Sequence, residues 1–162
     1  MIKYNEYNIV MEEIPDCVTL AVEITHCPHH CPGCHSPWQR NDEGTHLTTD
    51  EIDRLFKEND GFNCFLFSGE SVPEDLDELL SLNDYIKKQY PNVKTAIYSG
   101  YTYPKDEYKF KFDYIKYGPY IEKLGPLNKK TTNQRLLKLK ENDYVDITYM
   151  FQHEKIWQNV IP

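Results

Sequence analysis

The chain has 162 residues and a mass of 19.2 kDa, with 40% hydrophobic and 14% aromatic side chains. That is the size of one domain and a composition that excludes bulk disorder. Lys and Arg number 18 against 26 Asp and Glu, a net charge of −8, which argues against nucleic acid as a general partner because such binding needs a basic footprint.

No run of 18 apolar residues occurs, so no membrane-spanning helix is expected. Residues 1–6 lack the apolar stretch of a secretory signal, which points to the cytoplasm. Residues 7–13 are expected to add an edge strand. Residues 18–25 are rich in β-branched side chains and predict the first core strand. Thr48 and Glu51 form a capping box, with Leu47 and Ile52 placed as a hydrophobic staple. The helix they open has Ile52, Leu55 and Phe56 on one face and stops at Asn59-Asp60-Gly61. Residues 62–67 predict a second strand. Ser71-Val72-Pro73-Glu74 opens a second helix with Leu76, Leu79, Leu80 and Ile86 on its apolar face. Pro91-Asn92 ends it, residues 93–98 predict a third strand, and residues 112–116 a fourth. Beyond residue 118 the pattern fades: residues 135–140 alternate roughly, and residues 144–151 read as one more strand. A single domain over residues 1–162 is expected.

This βαβαβ order with short loops predicts parallel strands and right-handed crossovers. The four strand ends run into His26-Cys27, Ser68-Gly69-Glu70, Ser99-Gly100-Tyr101 and Tyr117-Gly118-Pro119. In such folds ligands bind at the carboxyl ends of the strands.

Five cysteines occur, at 17, 27, 31, 34 and 64. The odd number, without an export signal, argues against a disulfide framework. Cys17 and Cys64 lie in or beside apolar strands and read as core thiols. Cys27-Pro-His-His-Cys31-Pro-Gly-Cys34 has the spacing C-x3-C-x2-C. Three thiolates on one loop can hold three corners of a four-iron cubane and leave one iron open. A zinc site is the rival, with a fourth ligand from His26, His29, His30 or His35. A third reading leaves the thiols unliganded.

The spacing resembles the signature of the radical S-adenosylmethionine (SAM) family. Cys34-His35-Ser36-Pro37-Trp38, Tyr98-Ser99-Gly100-Tyr101, residues 112–116 with Gly118-Pro119-Tyr120, and Thr132-Asn133-Gln134-Arg135 resemble segments of glycyl-radical-enzyme activases. The last motif resembles the branch that activates anaerobic ribonucleoside-triphosphate reductase. The likeness runs from about residue 9 to residue 150.

This resemblance implies a compact α/β fold, an incomplete (β/α) barrel of mostly parallel strands. It implies a [4Fe-4S] cluster on Cys27, Cys31 and Cys34, with SAM chelated to the open iron. One-electron cleavage of SAM then yields a 5′-deoxyadenosyl radical, which takes a hydrogen from a glycine of the partner reductase. A one-electron donor such as flavodoxin or ferredoxin is implied, and no side chain serves as acid, base or nucleophile. Candidate SAM contacts are Gly33, Cys34 and His35 after the cluster loop, and Gly69 and Glu70 at the second strand end.

The chain departs from the family in two places. Gly33 stands where many members have an aromatic residue. Ser68-Gly69-Glu70-Ser71 replaces Gly-Gly-acid, so either Glu70 or Ser71 takes the place of the family acid, with Gly69 retained. His26, His29 and His30 are expected to be exposed loop residues. Residues 105–140 carry nine Lys and Arg135 against four acids, which reads either as a docking surface for the partner or as a solvated surface rich in Lys; Asn133-Gln134-Arg135 is assigned to partner contact, with capping of an element as the alternative.

Overall fold

A computed structural model describes residues 1–152; residues 153–162 of the expected domain lie outside the described residues. In chain order the elements are β1 (Lys3–Val10), β2 (Thr19–Ile24), β3 (Thr45–His46), α1 (Thr49–Glu58), β4 (Cys64–Ser68), α2 (Leu76–Gln89), β5 (Lys94–Tyr98), β6 (Tyr114–Tyr117), β7 (Arg135–Lys140) and β8 (Asp143–Asp146). Short 3-10 turns occupy Pro37–Arg40, Pro73–Asp75, Asp106–Tyr108 and Thr148–Gln152.

Thr48 caps α1 by accepting from the Glu51 N–H at 3.1 Å, and Leu47, Ile52 and Leu55 are fully buried. Pro73 lies in a separate 3-10 turn, so α2 begins at Leu76 rather than at Ser71. Its buried face adds Leu82 and Asn83 to Leu79 and Ile86.

One open sheet of eight strands runs β3-β1-β2-β4-β5-β6-β7-β8. The central pairs β2/β4, β4/β5 and β5/β6 are parallel, because α1, α2 and the segment at residues 99–113 carry the chain back between them. The flanks are antiparallel, so the sheet is mixed. The N-terminal strand begins at Lys3 and is not an edge, since β3 pairs with its outer side. Residues 144–151 do not form one strand. The hairpin turn Glu141-Asn142, with Glu141 at φ 59, reverses the chain into β8, and a 3-10 turn follows.

The two sheet faces differ. Leu20, Val22, Ile24, Phe65, Phe67, Ile97 and Ile115 pack against the apolar sides of α1 and α2. Alternation sends Ala21, Cys64, Leu66, Ala96, Tyr114 and Leu136 to the opposite face. No helix covers that face among the described residues. Ile14 and Ile147 fill it, with Cys17, Met150 and Phe151 partly buried against it. Among the described residues no helix is long and apolar enough to cross a membrane.

Candidate functional site

The cysteine loop leaves β2 and returns through the turn Pro37–Arg40. His26 and His30 take left-handed backbone angles, φ 63 and φ 46, so the loop reverses sharply. The turn pins it in several places. The N–H of Cys27 donates to the Gln39 carbonyl at 2.9 Å, and that of His26 to the Asn41 carbonyl at 3.1 Å. The Gln39 amide donates to the carbonyls of Ile24 (3.2 Å) and Ser68 (2.9 Å), joining the loop to the ends of β2 and β4. Arg40 Nη2 donates to the Cys31 carbonyl at 2.9 Å.

The loop forms one wall of an open cavity of about 270 Å³. Cys27, Cys31 and Cys34 line it, all three partly buried. The opposite wall is built from the carboxyl ends of the parallel strands: Ser68-Gly69-Glu70 after β4, Tyr98-Ser99-Gly100 around the end of β5, and Lys116 and Gly118 at the end of β6. The cavity opens on the face that carries no helix, because Ser68, Tyr98 and Lys116 lie two residues on from Leu66, Ala96 and Tyr114.

Glu70 organises the inner wall. It is 2% exposed, and its carboxylate accepts from Tyr108 Oη at 2.6 Å, Ser99 Oγ at 2.9 Å and the Gly100 N–H at 2.8 Å. His29 Nε2 meets the same carboxylate at 2.5 Å. The His29 ring stands edge-on to Tyr101 at 4.7 Å and lies against Gly100, where a Cβ would come within 2.5 Å of it. His29 is therefore an internal tie rather than an exposed loop residue. Burial, and next the Glu70 carboxylate, push the Tyr108 hydroxyl far up, so it stays protonated as a donor.

The remaining sequence candidates divide. Cys34, His35, Gly69 and Glu70 line the cavity. Cys34 Sγ accepts from the Ser36 N–H at 3.4 Å, and the His35 ring packs on Tyr120 at 5.3 Å. Gly33 is exposed and is not among the residues lining the cavity; a Cβ there would meet the Glu122 carboxylate at 2.9 Å. Ser71 lies outside the cavity and donates to Asp75 at 2.5 Å. Asn133 and Gln134 bond internally to the carbonyls of Pro119 (2.9 Å) and Gly118 (3.3 Å), and Arg135 pairs with Asp146 at 2.7 Å. Asn133 and Gln134 thus brace the Gly-Pro-Tyr turn at the cavity wall, while Arg135 ties β7 to β8. Asp113 is occupied by Lys87 at 2.5 Å and the Thr95 N–H at 2.9 Å.

The sequence reading passed over Gln39 and Tyr108 and named Tyr120 only within the Gly-Pro-Tyr segment; the partners of all three lie far along the chain. Cys64 is fully buried and Cys17 partly so. Hydrogen bonding with Cys64 lowers the Cys17 thiol to about 6, while the same bond and burial push Cys64 up. Both sit at the start of the strands, at the end of the sheet away from the cavity.

Three soft thiols on one pinned loop suit iron–sulfur ligation. Burial pushes the Cys27 thiol up, a cost that metal binding removes by taking the thiolate. Among the described residues no group of three or more His, Cys, Asp or Glu side chains is placed to hold a single metal ion.

A family model described as "4Fe-4S single cluster domain" matches residues 17–146, which include the whole cysteine loop and all three parallel pairings. No curated protein and no solved structure gives a significant match.

Proposed function

The chain belongs to the family of 4Fe-4S single cluster domains, and on that premise we propose that it is a radical SAM enzyme that activates an anaerobic ribonucleoside-triphosphate reductase. One observation carries the reading: Cys27, Cys31 and Cys34 share a single cavity with Gly69 and Glu70 at the carboxyl edge of the parallel strands. Thiols alone fit many metal proteins. Thiols facing a glycine and a buried carboxylate fit a cluster that also holds a small zwitterionic ligand.

In this reading Cys27, Cys31 and Cys34 hold three irons. Glu70, fixed by its donors, faces the methionine ammonium of SAM, and Gly69 leaves room beside it. His35 and the backbone at Cys34 contact the remainder of SAM. On this reading the open mixed sheet serves as the incomplete barrel, with its helix-free face toward the ligand. When bound, the cluster supplies the electron that splits SAM into methionine and a 5′-deoxyadenosyl radical, which takes hydrogen from a glycine Cα of the reductase. The chain's own part is to bind, orient and exclude water. An external one-electron donor of the flavodoxin or ferredoxin kind reduces the cluster. The cavity is open to solvent, so the partner completes its enclosure.

The test is anaerobic reconstitution with iron and sulfide, followed by reduction in the presence of SAM. Methionine and 5′-deoxyadenosine are expected in equal amounts. Adding the cognate reductase is expected to give a glycyl doublet by electron paramagnetic resonance, absent when its radical glycine is Ala. Cleavage without a radical on any cognate reductase moves the chain to small-molecule or peptide chemistry. Zinc in place of iron ends both readings.

A further inference from the structure

Cys17 and Cys64 are the two thiols that do not line the cavity, and the fold brings them together. Thr19 and Cys64 stand opposite each other where β2 and β4 begin. Cys17, two residues before Thr19, packs with Cys64 and Tyr114 in the apolar cluster of the helix-free face. The Val18 carbonyl, next to Cys17, accepts the N–H of Cys64 at 3.2 Å and that of Asn63 at 2.8 Å. The Val18 N–H in turn donates to Asn63 Oδ1 at 3.0 Å, so the backbone is fixed on both sides of the pair. The two thiols differ in environment. Cys64 is fully buried and Cys17 only partly. Two donors converge on the Cys17 sulfur, the Cys64 thiol and the Tyr114 hydroxyl, the latter at 3.7 Å. The Cys64 hydrogen bond does most to lower the Cys17 thiol to about 6; Tyr114 and the Lys138 charge help, while burial and Asp16 oppose. Cys17 is therefore mostly thiolate at neutral pH, and Cys64 keeps its proton. A partly exposed thiolate beside a second thiol is the arrangement of a redox-responsive pair.

We propose that Cys17 and Cys64 form a second reactive site, a reversible dithiol–disulfide couple whose oxidant is a peroxide. The Cys17 thiolate attacks one peroxide oxygen, so that a sulfur–oxygen bond forms, the oxygen–oxygen bond breaks and hydroxide leaves. Cys17 is thereby oxidised by two electrons to a sulfenic acid, and the peroxide is reduced. The Cys64 sulfur then attacks the Cys17 sulfur. A sulfur–sulfur bond forms, the sulfur–oxygen bond breaks, and the Cys64 proton leaves with that oxygen as water. In sum two thiols and one hydrogen peroxide give one disulfide and two waters, and a thiol reductant reverses the change by exchange. The bridge ties the start of β2 to the start of β4, at the end of the sheet away from the cavity. The inference goes beyond the SAM reading and does not depend on it.

The experiment treats the reduced full chain, iron-loaded and metal-free in parallel, with hydrogen peroxide at pH 6. Free thiols are then blocked, and bridges are located by peptide mass mapping. A Cys17–Cys64 bridge is expected in both forms, reversed by dithiothreitol. Cys17 is expected to react about tenfold faster than in the urea-unfolded chain at the same pH, its larger thiolate fraction outweighing its lower nucleophilicity. Cys64→Ser should stop at the sulfenic acid on Cys17, which dimedone traps, and Cys17→Ser should leave Cys64 reduced. A Cys17 that bridges to a cysteine of the 27–34 loop, or that reacts no faster than in the unfolded chain, overturns the inference. So does dimedone capture on Cys64 in Cys17→Ser at the rate seen for Cys17. No readout involves SAM, so failure of the activase reading leaves this inference standing, and its own failure leaves that reading intact.

Discussion

Glu70 offers the sharpest separation of scaffold from ligand contact. Its carboxylate is 2% exposed and takes donors from His29, Ser99, Gly100 and Tyr108. Glu70→Ala strands three of these in the interior. The Gly100 N–H is fixed by the backbone, Tyr108 is 1% exposed and Ser99 is 4% exposed. His29 is less enclosed and can turn to water. Each buried donor left without a partner costs about 1–3 kcal/mol, and water entering from the open cavity offsets part of this. The net expectation is about 3–5 kcal/mol, a fall in melting temperature of roughly 10 °C for a chain of this length.

Glu70→Gln is milder for a geometric reason. Its amide oxygen can occupy the Oε2 position, facing Ser99, Gly100 and His29, while its NH2 donates to the Tyr108 oxygen. Ser99, Gly100 and His29 keep their acceptor, while the Tyr108 hydroxyl hydrogen loses its own, so together with the lost charge the cost is about 1–3 kcal/mol. Urea unfolding of the metal-free protein, with equal slopes required, measures both variants. A loss under about 1 kcal/mol for Glu70→Ala refutes the network. SAM affinity of the iron-loaded protein then isolates the ligand role. Glu70→Gln is expected to weaken SAM about tenfold, and Ser71→Ala to leave it unchanged, since Ser71 bonds to Asp75 outside the cavity. Unchanged affinity in Glu70→Gln would leave Glu70 a scaffold residue only.

Cys27→Ala, Cys31→Ala and Cys34→Ala should each lose most of the iron and the SAM cleavage, while Cys17→Ala and Cys64→Ala retain both; full cleavage in any of the first three removes that residue from the ligand set. Gly69 has φ +105, so Gly69→Val brings backbone strain of about 1–3 kcal/mol as well as bulk beside the ligand, and should weaken SAM binding with iron content near normal. Burial and then the Glu51 hydrogen bond raise Tyr4 to about 12. A raised value means that the fold favours the protonated form, so this stability is complete below pH 10 and is lost as the pH rises from 10 to 12. The loss is about 2–3 kcal/mol, and Tyr4→Phe should remove this share of the alkaline decline in urea midpoints. Lys129 and Lys130 are exposed, and reversing both to Glu should slow reductase activation more than SAM cleavage; equal slowing argues against docking there.

The sequence carried the parallel core because its signals are local. The Thr48 cap, the apolar runs before Gly69 and Gly100, and the Pro91 break each act within a few residues. The antiparallel flanks were harder to read. β3 has two residues and no pattern, and it exists because β1 offers it a partner. The mixed character of the sheet follows from such non-local pairing. Within the site, the cysteine spacing was legible and the loop's supports were not. His29 read as a surface residue because its partner Glu70 lies 41 positions away. Gln39 sits in a short turn with no motif, yet it joins the ends of β2 and β4. Gly33 was expected near the ligand from its position beside Cys34; it is not among the residues lining the cavity, and its Cβ position meets Glu122.

A signal for the cavity was present in the strands themselves. On the helix-free face Leu66, Ala96 and Tyr114 form a buried row. Two residues further on, the same face carries Ser68, Tyr98 and Lys116. Strand alternation cannot move them to the other face, so each strand switches from filling a core to lining a recess at the same height. A sheet that only needed to pack would continue the apolar row or end it at solvent. Here the row ends under the cysteine loop, held there by Gln39 on the carbonyls of Ile24 and Ser68. The segment from Ile14 to Cys17 and the turn Thr148–Gln152 pack against the apolar row of this face, while Glu13, next to Ile14, already lines the cavity. The cavity is thus the part of the inner face that the chain leaves unfilled, with Glu70 and Lys116 on its walls. Its size and opposed charges follow from where the filling stops.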